Sequence, residues 1–95
     1  MRSRYSAYVL GDVGHLLRTW HPGTRPASLL LDDDLRWEGL DVLSRVRGGP
    51  FDDEGTVEFR AHHRHRFRDG RGVQHEVSRF VREGGRWFYV DGAPG

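Results

Sequence analysis

Apolar and polar residues alternate with a period of two through most of the second half of the chain. Thr56 to Arg66, Gly72 to Arg82 and Arg86 to Asp91 each read as a strand, and Asp69-Gly70 and Gly84-Gly85 join them. Both dipeptides favour two-residue hairpin loops, because Gly and Asp tolerate the positive φ that such turns require. With these turns setting the register, Phe59 faces Phe80, which in turn faces Tyr89. Ala61 faces Ser78, Ser78 faces Asp91, and His63 faces Glu76. Together with Trp87 these residues form one side of the sheet, assigned to a concave, helix-covered face. Arg60, His62, Arg64, His75, Val77, Arg79 and Val81 fall on the other side. A slip of one residue would exchange the two faces.

The first half carries the helical period. Arg2 to Leu10 reads as a helix with Tyr5, Tyr8 and Val9 on one side, ended by Gly11. Asp12 is placed to cap a second helix, in which Val13, Leu16, Leu17 and Trp20 form an apolar stripe. That helix must stop before Pro22. The stretch from Pro22 to Asp34 is turn-rich, with a short helix expected around Ser28 to Leu31. Trp37 to Arg47 reads as a strand with Leu40, Val42 and Val46 on one face, followed by Gly48-Gly49-Pro50 and an acidic loop from Phe51 to Gly55. Helices followed by a meander predict an α+β fold: N-terminal helices packed on a bent antiparallel sheet of about four strands. Residues 1–92 make one domain, and 93–95 a frayed tail.

Composition narrows the function classes. A chain of 95 residues can bury one modest core. No apolar run, Leu29 to Leu31 included, comes near the ~20 residues of a membrane span. The absence of cysteine removes disulfides and thiolate metal sites, and fits the cytoplasm. All 15 basic residues are arginine, and lysine, isoleucine and asparagine are absent, the signature of a GC-rich genome. The arginines are spread among 14 acidic residues, which argues against nucleic acid as a partner.

The expected pairing makes His63 and Glu76 the first acid–base candidates, since a carboxylate beside an imidazole raises its pKa and fixes its tautomer. Asp91 near Tyr89 is the second, a base beside a hydroxyl donor. A cross-strand His–Glu contact is also a routine polar pair. Trp20 ends the helix stripe as a core residue, and His21 is expected at the helix C-terminus near a rim. Trp20, His21, Trp37, Ser78 and Tyr89 are the candidate ligand-binding residues, for a small hydrophobic ligand. His62, His63, His65 and His75 do not converge, so no metal and no cofactor is expected. The Asp32-Asp33-Asp34 run reads as a solvated loop and cap. Val73, Val77, Val81, Phe88 and Val90 make the outer face apolar enough to suggest a homodimer through it.

Four segments carry a resemblance: M-R-S-R-Y-S-A-Y at the start, L-L-R-T-W-H-P, H-E-V-S-R-F, and W-F-Y-V-D-G near the end. In this order they resemble the YchJ-like family of bacterial proteins. The resemblance implies the cystatin-like cone shared with nuclear transport factor 2, ketosteroid isomerase and scytalone dehydratase, a bent sheet that often leaves a cavity at its open end. Longer family members carry a C-P-C-G-S-G zinc-binding SEC-C motif, and a chain without cysteine cannot carry over that zinc. The family's first helix begins upstream of M-R-S-R-Y, so the chain resembles a stand-alone or trimmed central domain. H-H-R-H-R-F-R looks specific to this protein. The expected function is a small, non-enzymatic ligand-binding or interaction module. The alternative is a cofactor-free lyase or isomerase acting on a small hydrophobic carbonyl or hydroxyl compound.

Overall fold

The computed structural model describes residues 2–32, 34–67 and 70–95, with Arg2 as backbone only. Arg2–Leu10 forms α1 and Val13–Arg18 forms α2, followed by β1 (Leu35–Arg47), β2 (Glu54–His65), β3 (Arg71–Glu83) and β4 (Arg86–Pro94). The strands make one antiparallel sheet in chain order, the α+β architecture expected from the pattern.

Gly11 adopts φ 70° where α1 ends, and Asp12 caps α2 by accepting the His15 N–H at 3.0 Å. The second helix is shorter than its apolar stripe. It gives way at Thr19 because the next residues are used by the sheet. The Tyr89 N–H donates to Thr19 O at 2.8 Å and the His21 N–H donates to Tyr89 O at 2.7 Å, a parallel bridge centred on Trp20. This covers part of the open edge of β4. Ser28 to Leu31 forms no helix.

The Gly84-Gly85 turn is as expected, with φ 58° and 78° and with Glu83 facing Arg86. Phe80 faces Tyr89. The register then breaks at a bulge: Arg79 faces Asp91 and Ser78 faces Gly92, so Asp91 does not face Ser78. The extra residue, Val90, is buried. Residues 93 and 94 are not frayed but continue the ladder against Val77 and Glu76.

Between β2 and β3 the expected register is displaced by four residues, with Phe59 facing Glu76 rather than Phe80. Ala61 faces Gln74 and His63 faces Gly72, so neither the Ala61–Ser78 nor the His63–Glu76 pair forms. The cause is a longer connection. The last described pair is Arg64 with Arg71, and the His65 Nδ1 accepts the Phe67 N–H at 3.1 Å beyond it. The Asp69 half of the expected Asp69-Gly70 turn lies outside the described residues. Because the displacement is even, every side chain keeps its expected face. In β1, irregularities between Trp37 and Gly39 and between Val42 and Ser44 send Val46 to the face opposite Leu40 and Val42.

On the inner face α1 packs against β1 and α2 packs against α1; Leu16 and Ser78 are fully buried and Ala7, Phe59 and Ala61 nearly so. Burying a side chain such as Phe59 contributes about 1.5–3 kcal/mol. The outer face is crossed by hydrogen-bonded pairs of basic and acidic side chains. Asp41 on β1 meets His62 on β2 at 2.7 Å, Glu58 meets His75 on β3 at 2.6 Å, and Arg79 meets Asp91 on β4 at 2.8 Å. Among the described residues no helix is long and apolar enough to cross a membrane.

Candidate functional site

The inner face is not filled throughout. Beneath α1 lies a cavity of about 110 Å³ whose apolar wall includes Tyr5, Tyr8, Trp37 and Phe59. Its polar groups are Arg4 from the helix and Glu76, Ser78 and Tyr89 from the sheet. Tyr8 and Trp37 stack at a tilt across the mouth with centroids 6.1 Å apart.

Arg4 is placed one turn before Tyr8, so both point down from α1 onto the sheet. Only 4% of Arg4 is exposed. Its Nη1 donates to Leu16 O at 3.0 Å and to Thr19 Oγ1 at 2.7 Å, at the C-terminal end of α2 where a cation is favoured. The guanidinium carbon lies 4.5 Å from the Tyr89 ring centroid, a cation–π contact. Burial lowers the Arg4 pKa, while Tyr8, Tyr89 and Glu76 pull it back toward the charged form. Among the described residues no acidic group stands within ion-pair distance of it.

Glu76 enters from β3. Its Oε2 accepts the Ser78 hydroxyl at 2.7 Å, and its carboxyl lies over Gly92, where a Cβ would overlap it. The bulge that brings Gly92 opposite Ser78 therefore makes room for the carboxylate. Tyr89 is pushed up to about 12, first by burial and then by the negative charge of Glu76. Its phenol is neutral near pH 7, a hydrogen-bond donor rather than a base.

Of the residues singled out from sequence, Trp37, Glu76, Ser78 and Tyr89 line this cavity. His63, Asp91, Trp20 and His21 do not. His63 stacks edge-on against Trp37 at 5.5 Å and over Gly72, with its Nδ1 buried and unpartnered. Asp91, turned by the bulge, binds Arg79 through both oxygens on the outer face, at 3.1 and 2.8 Å. Trp20 packs edge-on behind Tyr89 at 5.0 Å. His21 lies beyond the helix end, not on it. Its Nδ1 accepts the Gly23 N–H, leaving Nε2 to donate to Glu83 at 2.8 Å.

Nothing in the sequence marked Arg4, because an arginine in a helix with no acidic residue gives no signal of burial. Asp32, Asp34 and His65 form a group also missed, with one ligand atom of each within 4.8 Å of the others. Part of that donor set is already engaged: Asp32 Oδ1 accepts the Asp34 N–H and His65 Nδ1 the Phe67 N–H. Asp33 lies outside the described residues.

The comparisons agree with this architecture. A family description reading YchJ, middle NTF2-like domain, matches residues 1–92. A UPF0225 protein of Streptomyces coelicolor is 53% identical over 92 residues, which cover 97% of this chain and 69% of that protein. One from Streptomyces avermitilis is 51% identical, covering 97% and 61%. The chain thus spans between three-fifths and seven-tenths of the length of these relatives. The solution structure of a SEC-C motif containing protein from Rhodopseudomonas palustris superposes with a TM-score of 0.83 at 32% identity, over 100% of this chain and 75% of that one.

Proposed function

The chain belongs to the family of YchJ middle, NTF2-like domains, and from the cavity that the cone builds here we propose that it is a small-molecule binding module. The observation that carries this reading is the buried Arg4 guanidinium, held over Tyr89 and lining the cavity with no acid within ion-pair distance among the described residues. Protein interiors are close-packed, and polar groups converging on an open apolar pocket are the usual mark of a ligand site. The four segments that carry the family likeness supply Arg4 and Tyr8, the Leu16 carbonyl and Thr19 that hold Arg4, Glu76 and Ser78, and Tyr89. A fragment screen followed by amide chemical shifts tests the reading. Fragments should move Trp37, Ser78 and Tyr89 together. A library that leaves all three still would end it.

A second reading has its own observation. Glu76 and Tyr89 line the same cavity, and the charge of Glu76 helps to keep the phenol neutral, a carboxylate base near a hydroxyl donor. In a cofactor-free isomerase or lyase Glu76 would take a proton next to a carbonyl polarised by Tyr89 or Arg4. Exchange of the α-protons of a small ketone in D₂O, lost on Glu76→Gln, would move the assignment to enzyme. Exchange at the buffer rate would leave binding alone.

Two broader expectations stay proposals. The absence of cysteine favours the cytoplasm. Pairing of two copies through the outer sheet face rests on Val73, 53% exposed, and a light-scattering mass of one chain at high concentration would rule it out.

A further inference from the structure

The cavity is lined by two unlike charged groups, Arg4 and Glu76. The Arg4 guanidinium carries five N–H groups, and its hydrogen bonds to Leu16 O and Thr19 Oγ1 both leave from Nη1. The Tyr8 side chain stands beside the guanidinium and favours its charged form, and both hydrogen-bond acceptors of Nη1 are neutral. Elsewhere in the chain, Arg47, Arg71, Arg79 and Arg82 each stand within 4.0 Å of a carboxylate. Arg4, the buried one, has none within that distance among the described residues. A buried charge without a counter-charge is costly, and a planar fork of donors is matched by a carboxylate.

On the sheet side, Glu76 has Oε2 occupied by Ser78, and Oε1 accepts nothing among the described residues. It therefore asks for a donor. Its own negative charge disfavours a dianion such as phosphate in so small a space. Tyr8, Trp37 and Phe59 add an apolar wall. An apolar cavity of about 150 Å³ holds one benzene ring, so 110 Å³ encloses roughly four or five heavy atoms and leaves the tip of a slightly longer ligand at the opening.

Building on the binding reading above, we propose that the ligand is a short-chain hydroxycarboxylate, its carboxylate on Arg4 and its hydroxyl donating to Glu76. The carboxylate completes the ion pair that the fold leaves open, the hydroxyl satisfies Glu76 Oε1, and the alkyl part lies against the aromatic wall. Recognition is by complementarity of charge at one end and of donor to acceptor at the other.

Three probes of nearly equal size test this on the whole chain by amide chemical-shift titration: 3-hydroxybutyrate, butyrate and the neutral butyramide. The hydroxy acid should bind at least tenfold more tightly than butyramide and several-fold more tightly than butyrate, with shifts at Trp37, Ser78 and Tyr89. Arg4→Met should erase the difference between acid and amide, and butyramide shifts retained at those residues show that the variant is folded. Glu76→Gln should narrow the gap between the hydroxy acid and butyrate. Equal binding of butyrate and butyramide at the cavity would overturn the carboxylate assignment and leave the binding reading standing. Silence from all three probes would remove both. Acid-induced shifts confined to surface arginines such as Arg45 and Arg47 would mean adventitious anion binding and would also overturn the proposal.

Discussion

The two faces of one sheet treat charge in opposite ways. On the outer face, His62, His75 and Arg79 are each matched across a strand boundary by Asp41, Glu58 and Asp91. These groups are wet, and such pairs are worth about 0–1 kcal/mol each. On the inner face Arg4 is 4% exposed and, among the described residues, hydrogen-bonds only neutral acceptors. Charge is thus compensated where compensation matters little, and left open where it matters most. A structural ion pair would show the reverse, which is why the inner arrangement reads as a place for something from outside.

The sharpest test of that contrast is stability on either side of the sheet. Leu16→Ala, at a fully buried position, should cost about 2–5 kcal/mol in denaturant unfolding. Val73→Ala on the outer face should stay within about 0.5 kcal/mol. Similar losses at both would mean that the outer face is covered in solution. A double-mutant cycle carries the comparison to the charges themselves. Arg4 with Thr19 should couple by about 1.5–3 kcal/mol, as a buried hydrogen bond from a charged group. Arg79 with Asp91 should couple by about 0.2–1 kcal/mol, less in high salt. If the outer pair coupled more strongly, the buried guanidinium would be less constrained than its two acceptors imply.

The same contrast explains what could be seen in the sequence. Periodicity located both helices and all four strands, and it sorted β2 and β3 onto the correct faces although their register moved by four residues. An even displacement preserves faces, so Phe59 and Ser78 stayed on the inner side while their partners changed. The error came from taking Asp69-Gly70 as the tightest turn its residues allow. Bulges are not written in the alternation either. The one between Arg79 and Phe80 turned Asp91 from an inner base into an outer counter-ion, and the ones in β1 moved Val46. Glu76, Ser78 and Tyr89 were legible because they sit on a regular strand face. Arg4 was not, since its burial depends on the end of α2 arriving beneath it.

A smaller effect is expected at Gly92, the residue opposite Ser78. An added Cβ would overlap the Glu76 carboxyl, but that group ends a flexible side chain and can swing away. Gly92→Ala should cost about 1 kcal/mol, near the low end for overpacking, and displace the carboxylate from Ser78. Glu76→Ala in the same chain should recover most of that loss. Failure to recover it would place the clash in the backbone.

The smallest expected change at neutral pH is the most specific one. Tyr89→Phe keeps the ring that stacks on Trp20 and Phe80 and should alter stability near pH 7 by only a few tenths of a kcal/mol, within the usual range for a change that breaks no core contact. The difference appears in alkali. The unfolded phenol ionises near 10.0, the folded one near 12. Below pH 10 both states hold the proton, and the preference for the neutral phenol is fully present. As pH rises from 10 through 12 the unfolded chain sheds it while the folded chain cannot, so stability falls over that window. Tyr89→Phe has no proton to lose and should flatten this limb of the curve. An unchanged limb would assign the alkaline loss to other tyrosines and place the Tyr89 hydroxyl in water, out of the cavity.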